Sequence, residues 1–118
     1  MVEKNLYLCI TTLNNLRDAT GEVFDEILKI YIDDATININ LLRTASKENN
    51  FDQLIRLTHT LKGSSRNVGA IKTAELCESF EKSLKENPSC DLEMHINLIQ
   101  SSNESSLPLL KKQFETKS

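Results

Sequence analysis

The chain has no tryptophan, only three glycines and two prolines, and aromatic side chains make up 5% of its 118 residues. So few turn-formers leave room for only short connections between helices. No apolar run approaches the roughly 20 residues needed to cross a bilayer. Met1-Val2-Glu3-Lys4-Asn5 carries an acidic residue, and the apolar stretch after it, Leu6 to Ile10, is short, so the start makes a poor secretory signal. Cysteine is scarce and odd in number: Cys9, Cys77 and Cys90 lack the spacing of a metal site. They read as small apolar residues or ordinary thiols in a reducing, cytoplasmic compartment. An excess of positive charge is missing too. The net charge is −3, and lysines and arginines are scattered rather than gathered into a stripe, which argues against nucleic acid as the main partner.

What is present fits one soluble domain over residues 1–118, long enough for one hydrophobic core and too short for two. The abundance of Leu, Ile, Glu, Lys and Asn points to helices with short connections. The periodicity predicts an all-α fold: an antiparallel up-down four-helix bundle with a short N-terminal capping helix. Leu6 to Leu16 forms the cap and Asp18-Ala19-Thr20-Gly21 a turn. Bundle helices are expected at about 21–47, 51–67, 70–85 and 91–115. The first of these turns Val23, Ile27, Ile30/Tyr31, Ile37, Leu41/Leu42 and Ala45 inward, with a local bend near Asp33-Asp34 and Thr36-Ile37. Asn50 suits an N-cap, with Gln53 where a capping-box partner belongs, and Gly69 is a stop signal. The third helix buries Ala70, Thr73, Ala74, Cys77, Phe80 and Leu84. A turn follows at Glu86-Asn87-Pro88-Ser89. The last helix buries Leu92, Ile96, Ile99, Ser106, Leu110 and Phe114, and Pro108 is expected to kink or divide it.

One stretch carries chemistry: His59-Thr60-Leu61-Lys62-Gly63-Ser64-Ser65, followed by Gly69-Ala70. Turning about 100° per residue, Leu54, Thr58, Leu61, Ser65 and Val68 share a buried stripe. His59 falls about 140° away, Gly63 about 180°, and Lys62 and Arg66 flank the histidine on the same side. A helix-interior glycine costs about 1 kcal/mol relative to alanine. Close approach of something bulky to His59 is a reason to keep one. A phosphoryl group passing onto imidazole carries negative charge that a cation one turn away stabilises. Arg66 is equally well read as a solvated cation. Glu81 lies at the margin of its helix's buried stripe, either as an ordinary boundary residue or as a partner for the imidazole. Ser65 packs in the core, and neither it nor Ser64 has a base placed as in a hydrolase. His95 has no ligand set around it and reads as structural. Ile55 and Ile71, apolar and outside the core stripes, suggest a docking patch near His59.

The run His59-Thr60-Leu61-Lys62-Gly63-Ser64-Ser65, three residues, then Gly69, resembles the signature of histidine-containing phosphotransfer domains, the intermediate carriers of phosphorelays. Leu13, Leu16, Thr20-Gly21, Asp33-Asp34-Ala35 and Ala74-Glu75-Leu76-Cys77-Glu78 extend the resemblance over most of the chain. Thr36 departs from it, standing where many members have proline. The resemblance implies that His59 is phosphorylated on Nε2, with Lys62 as the phosphate-stabilising cation and Gly63 as the access residue. It also places Glu81 where members carry a Gln or Glu close to the active imidazole.

Its further implications are a phosphoryl carrier without autonomous kinase activity and without a cofactor or metal of its own. A receiver-domain aspartate, with Mg²⁺ on that receiver, gives up the phosphoryl group, and a second receiver takes it. No glycine-rich nucleotide loop is present. A monomer with no direct membrane contact is expected, in the cytoplasm. It is either a free carrier or the cytoplasmic domain of a membrane-anchored hybrid sensor kinase. Rival readings are a non-phosphorylated helical adaptor, a histidine-kinase dimerisation helix pair and a helical metal-binding protein. The second usually has an acidic residue and a proline after its histidine, and the third lacks ligand clusters.

Overall fold

A computed structural model of the chain describes residues 6–87 and 89–115. The leading Met1–Asn5 segment and Pro88 of the expected turn lie outside the described residues. Among these, all regular structure is helical: α1 (Ile10–Thr20), a 3₁₀ turn (Gly21–Val23), α2 (Phe24–Lys47), α3 (Phe51–Asn67), α4 (Ile71–Glu86) and α5 (Leu92–Glu115). Helices α2 to α5 form the four-helix bundle, each packed on its neighbours in sequence, with α5 closing against α2. The connections are short enough to force antiparallel neighbours. Asn50 caps α3 by accepting a hydrogen bond from the Gln53 amide at 3.2 Å, and Asp91 does the same for Met94 at the start of α5.

The core runs the length of the bundle through Leu28, Leu42, Leu54, Leu61, Phe80, Ile96, Ile99 and Leu110, all essentially sealed from solvent. Burying each such side chain contributes about 2 kcal/mol of transfer free energy. Two pairs of buried hydroxyls meet across helices, while the Thr58 hydroxyl, sealed on α3, has no hydrogen-bond partner. The Tyr31 and Ser65 hydroxyls lie 2.9 Å apart between α2 and α3, and those of Thr73 and Ser102 lie 2.9 Å apart between α4 and α5. Burial pushes the Tyr31 phenol up to about 12, against the lowering effect of Ser65, so Tyr31 stays neutral and fit for the interior.

Helix α1 closes one end of the bundle. Leu13 on it and Leu8 just before it are buried, the Cys9 amide donates to the Gly69 carbonyl at 2.7 Å, and Arg17 reaches Gln113 of α5 at 2.6 Å. Gly69 sits at the α3–α4 junction with φ +77°, and a Cβ there would meet the Cys9 carbonyl oxygen at 2.8 Å. Left-handed backbone and a crossing segment together demand glycine.

The structure corrects several expectations. Residues 18–20 continue α1, and the reversal comes at Gly21, whose φ is +55°. On α2 the inward stripe is Phe24, Leu28, Tyr31, Ala35, Ile39, Leu42 and Ala45. Val23, Ile30, Ile37 and Leu41 are exposed instead. Both sets repeat at helical spacing, so periodicity alone cannot choose between them. The set that faces α3 and α5 is the one buried. Helix α2 runs unbroken through Asp33–Ile37, as the lack of Pro and Gly in that span leads one to expect, whereas α5 is not divided at Pro108. Leu92 and Phe114 end up half-buried rather than buried. His95 stacks on the Phe80 ring, with centroids 4.8 Å apart.

Gly69→Ala should destabilise the fold by about 1–3 kcal/mol, combining left-handed strain with a backbone clash. Thermal denaturation reads this, and an unchanged melting temperature would show that the cap does not hold Cys9 against Gly69.

Candidate functional site

His59 and Lys62 project from α3 and Glu81 from the facing side of α4, near the middle of the bundle. The three meet on the carboxylate. Glu81 Oε1 accepts from Lys62 Nζ at 2.7 Å, and Oε2 lies 3.0 Å from His59 Nδ1. Lys85, one turn further along α4, adds Nζ to Oε2 at 3.2 Å. The exposures divide the labour. The Glu81 side chain is 8% exposed and Lys62 16%, while the His59 ring is 68% exposed. A nearly buried anion is thus held by donors from two helices and in turn holds an imidazole that faces solvent.

Burial raises the Glu81 carboxyl, but hydrogen bonds from Lys62, Lys85 and His59 outweigh it and bring it down to about 2. An ionised carboxylate can only accept. The ring nitrogen facing it therefore carries the hydrogen, and in a neutral ring the lone pair is left on Nε2. The contact thus fixes the tautomer as well as the ring's orientation. One turn before Glu81, Cys77 is fully buried, and burial together with the Glu81 charge pushes its thiol up to about 12. Such a thiol is an inert packing residue.

Gly63, one turn after His59, is exposed, and a Cβ built there meets no atom within 4 Å. Internal packing does not require the glycine, which leaves the space beside the ring open from outside. The structure does not bring Arg66 to the imidazole: its guanidinium pairs with Glu78 at 2.5 Å, with both side chains more than half exposed. Ile71 is 40% exposed and Ile55 half-buried. Lys85 is the member that the sequence reading missed. Its spacing of four from Glu81 was the available signal, since such pairs meet on a helix surface. Among the described residues, no group of three or more His, Cys, Asp or Glu is arranged to hold a metal ion, and no helix is long and apolar enough to cross a membrane.

The sign of the pH dependence follows from Glu81. Its folded-state value lies below that of a free carboxyl, so its contribution to stability is present above about pH 4.5 and is lost as pH falls towards 2. Chemical denaturation at pH 6 and pH 3 should show a loss of about 1–3 kcal/mol that is smaller in Glu81→Gln. Equal losses in the two proteins would mean that the lysines do not clamp the carboxylate in solution.

Comparison with known proteins follows the same lines. The family model for the Hpt domain matches residues 26–113. No curated protein matches the chain by sequence. Among solved structures, histidine-containing phosphotransfer protein B from Pseudomonas aeruginosa PAO1 superposes with a TM-score of 0.91 at 19% identity, covering 98% of this chain and 100% of that one. The HPT domain of a sensor hybrid histidine kinase from Shewanella gives 0.76 at 23% identity, over 94% and 96% of the two chains. A putative histidine-containing phosphotransfer protein from rice gives 0.79 at 23%, over 93% and 81%. At these identities the likeness shows a shared fold.

Proposed function

The chain belongs to the Hpt domain family, phosphorelay intermediates of two-component signalling that interact with receiver domains, and from that premise we propose that His59 is its phosphoryl-carrying residue. The observation that carries the reading is the pairing of Nδ1 with Glu81 on a largely exposed ring, which leaves Nε2 free to act as nucleophile. Neutral Nε2 attacks the phosphorus of an aspartyl phosphate on a receiver domain. The P–O bond breaks, and its electron pair leaves with the aspartate carboxylate. The Mg²⁺ belongs to the receiver and offsets charge on the phosphoryl oxygens there.

Lys62 is the cation on the histidine's own helix within reach of a phosphoryl group on the ring, and charge neutralisation at that distance favours the transfer. Gly63 keeps the approach clear for the receiver's pocket. Arg66, occupied by Glu78, is left as a surface ion pair of small worth. The Tyr31–Ser65 contact ties α2 to α3 inside the bundle. The receiver then lies across the outer face of α3, with Ile30, Ile37 and Leu41 on α2 supplying apolar contact. This carrier acts as a cytoplasmic monomer with no kinase activity and no cofactor of its own. Both a free protein and a domain of a larger kinase fit that role.

Incubation with a radiolabelled, phosphorylated receiver domain tests the proposal. Wild type should take up acid-labile, base-stable label and His59→Gln none, with stability changed by under about 1 kcal/mol, as for an exposed site. Label retained in His59→Gln would remove the histidine from the role. Lys62→Ala should slow transfer about 10-fold or more while keeping the fold; an unchanged rate would exclude Lys62. Gly63→Leu should stabilise the helix by roughly 0.5–1 kcal/mol and block transfer, and retained transfer would refute the access role.

A further inference from the structure

The clamp on Glu81 bears on the step that gives the phosphoryl group away, not only on the one that accepts it. When Nε2 attacks phosphorus, its lone pair becomes the N–P bond, and the ring, still carrying its Nδ1 hydrogen, becomes a cation. In the reverse sense the N–P bond breaks towards an aspartate oxygen. The electron pair returns to Nε2, and a neutral imidazole departs only if Nδ1 is still protonated. Without that hydrogen the leaving group is an imidazolide anion, a far poorer one. Both half-reactions therefore run through the same positively charged ring. The nearest opposite charge to that ring is the Glu81 carboxylate, 3.0 Å from Nδ1 and 8% exposed, where Coulombic interaction is stronger than in water.

Resting on the reading of His59 as the carrier, we propose that the negative charge of Glu81, beyond its hydrogen bond, keeps the Nδ1 proton on the phosphorylated ring and so sets how readily this carrier surrenders its phosphoryl group. Lys62 and Lys85 make this possible by keeping the carboxylate ionised: each donates to it, one to each oxygen. The other charged groups lining the groove around His59 are Glu78, Lys82 and Glu86, all on α4. Glu78 is engaged by Arg66, and none of the three is bonded to the ring. With its carboxyl brought down to about 2, Glu81 stays charged at every pH at which a phosphohistidine is handled. Glu81 is a positioning and charge-setting residue in this scheme; it neither touches the phosphorus nor moves a proton. A glutamine would preserve the acceptor oxygen and the ring's orientation but not the charge.

The test needs no cognate receiver. Phosphoramidate serves as a small-molecule phosphoryl donor to load wild type, Glu81→Gln and His59→Gln. Loss of the label to water is then followed from about pH 6 to pH 9, with circular dichroism confirming fold. In wild type the rate should stay constant within about twofold. In Glu81→Gln it should fall with rising pH, approaching about tenfold per unit once the ring surrenders its Nδ1 proton. If Glu81→Gln does not fold, the wild-type profile decides alone: a flat profile supports the proposal, and a falling one overturns it. Matching profiles in folded wild type and Glu81→Gln also overturn it, while leaving His59 as the carrier. Wild type that takes no label on His59, or label that persists in His59→Gln, removes the underlying reading and the role of Glu81 together.

Discussion

A carboxylate that is almost buried between two helices is the constraint on which the site depends. Left alone in that position, Glu81 would be costly, because burial disfavours its charged form. Three donors offset the cost: Lys62 from α3, Lys85 from α4 and the His59 ring itself. The same contacts that stabilise the anion orient the imidazole, tie α3 to α4 and gather two cations beside the ring. Function and local stability are therefore coupled, and neither can be altered at Glu81 without the other responding.

The rest of the bundle serves to hold this arrangement still. The α3–α4 register is fixed at its end by Gly69, whose left-handed backbone and lack of a side chain let the segment before α1 cross over and hydrogen-bond to it. Across the other face of α3, Tyr31 and Ser65 pair inside the core and fix α2. His59 is thus presented by a helix gripped from both sides. The positions proposed to act, by contrast, are ones that packing leaves free: an exposed ring, a glycine with open space beside it and an apolar row on α2 that faces outward.

Much of this was legible in the sequence, and the exceptions have physical reasons. The spacing of Leu54, Thr58, Leu61 and Ser65 gave the buried face of α3 and hence the outward direction of His59, because one stripe dominates that helix. Helix α2 carries two apolar stripes at helical spacing. Only packing against α3 and α5 decides that Phe24 and Leu28 go inside while Ile30 and Ile37 stay out. A similar ambiguity surrounded Glu81, whose marginal position on its own helix could not say whether a ring lay across from it. Arg66 shared a face with His59, yet that face also meets Glu78, and the nearer partner took it. Pro108 is expected to kink or divide the last helix, and α5 is not divided there.

In the proposed carrier, Glu81 holds the His59 ring with hydrogen on Nδ1 and leaves Nε2 as the nucleophile. Long-range ¹H–¹⁵N correlation of the imidazole in the unphosphorylated protein, above the pH at which the ring becomes neutral, tests it most directly. Wild type should show a protonated Nδ1 and an unprotonated Nε2, with the preference weakened in Glu81→Ala. A ring that carries its hydrogen on Nε2 in wild type would contradict it.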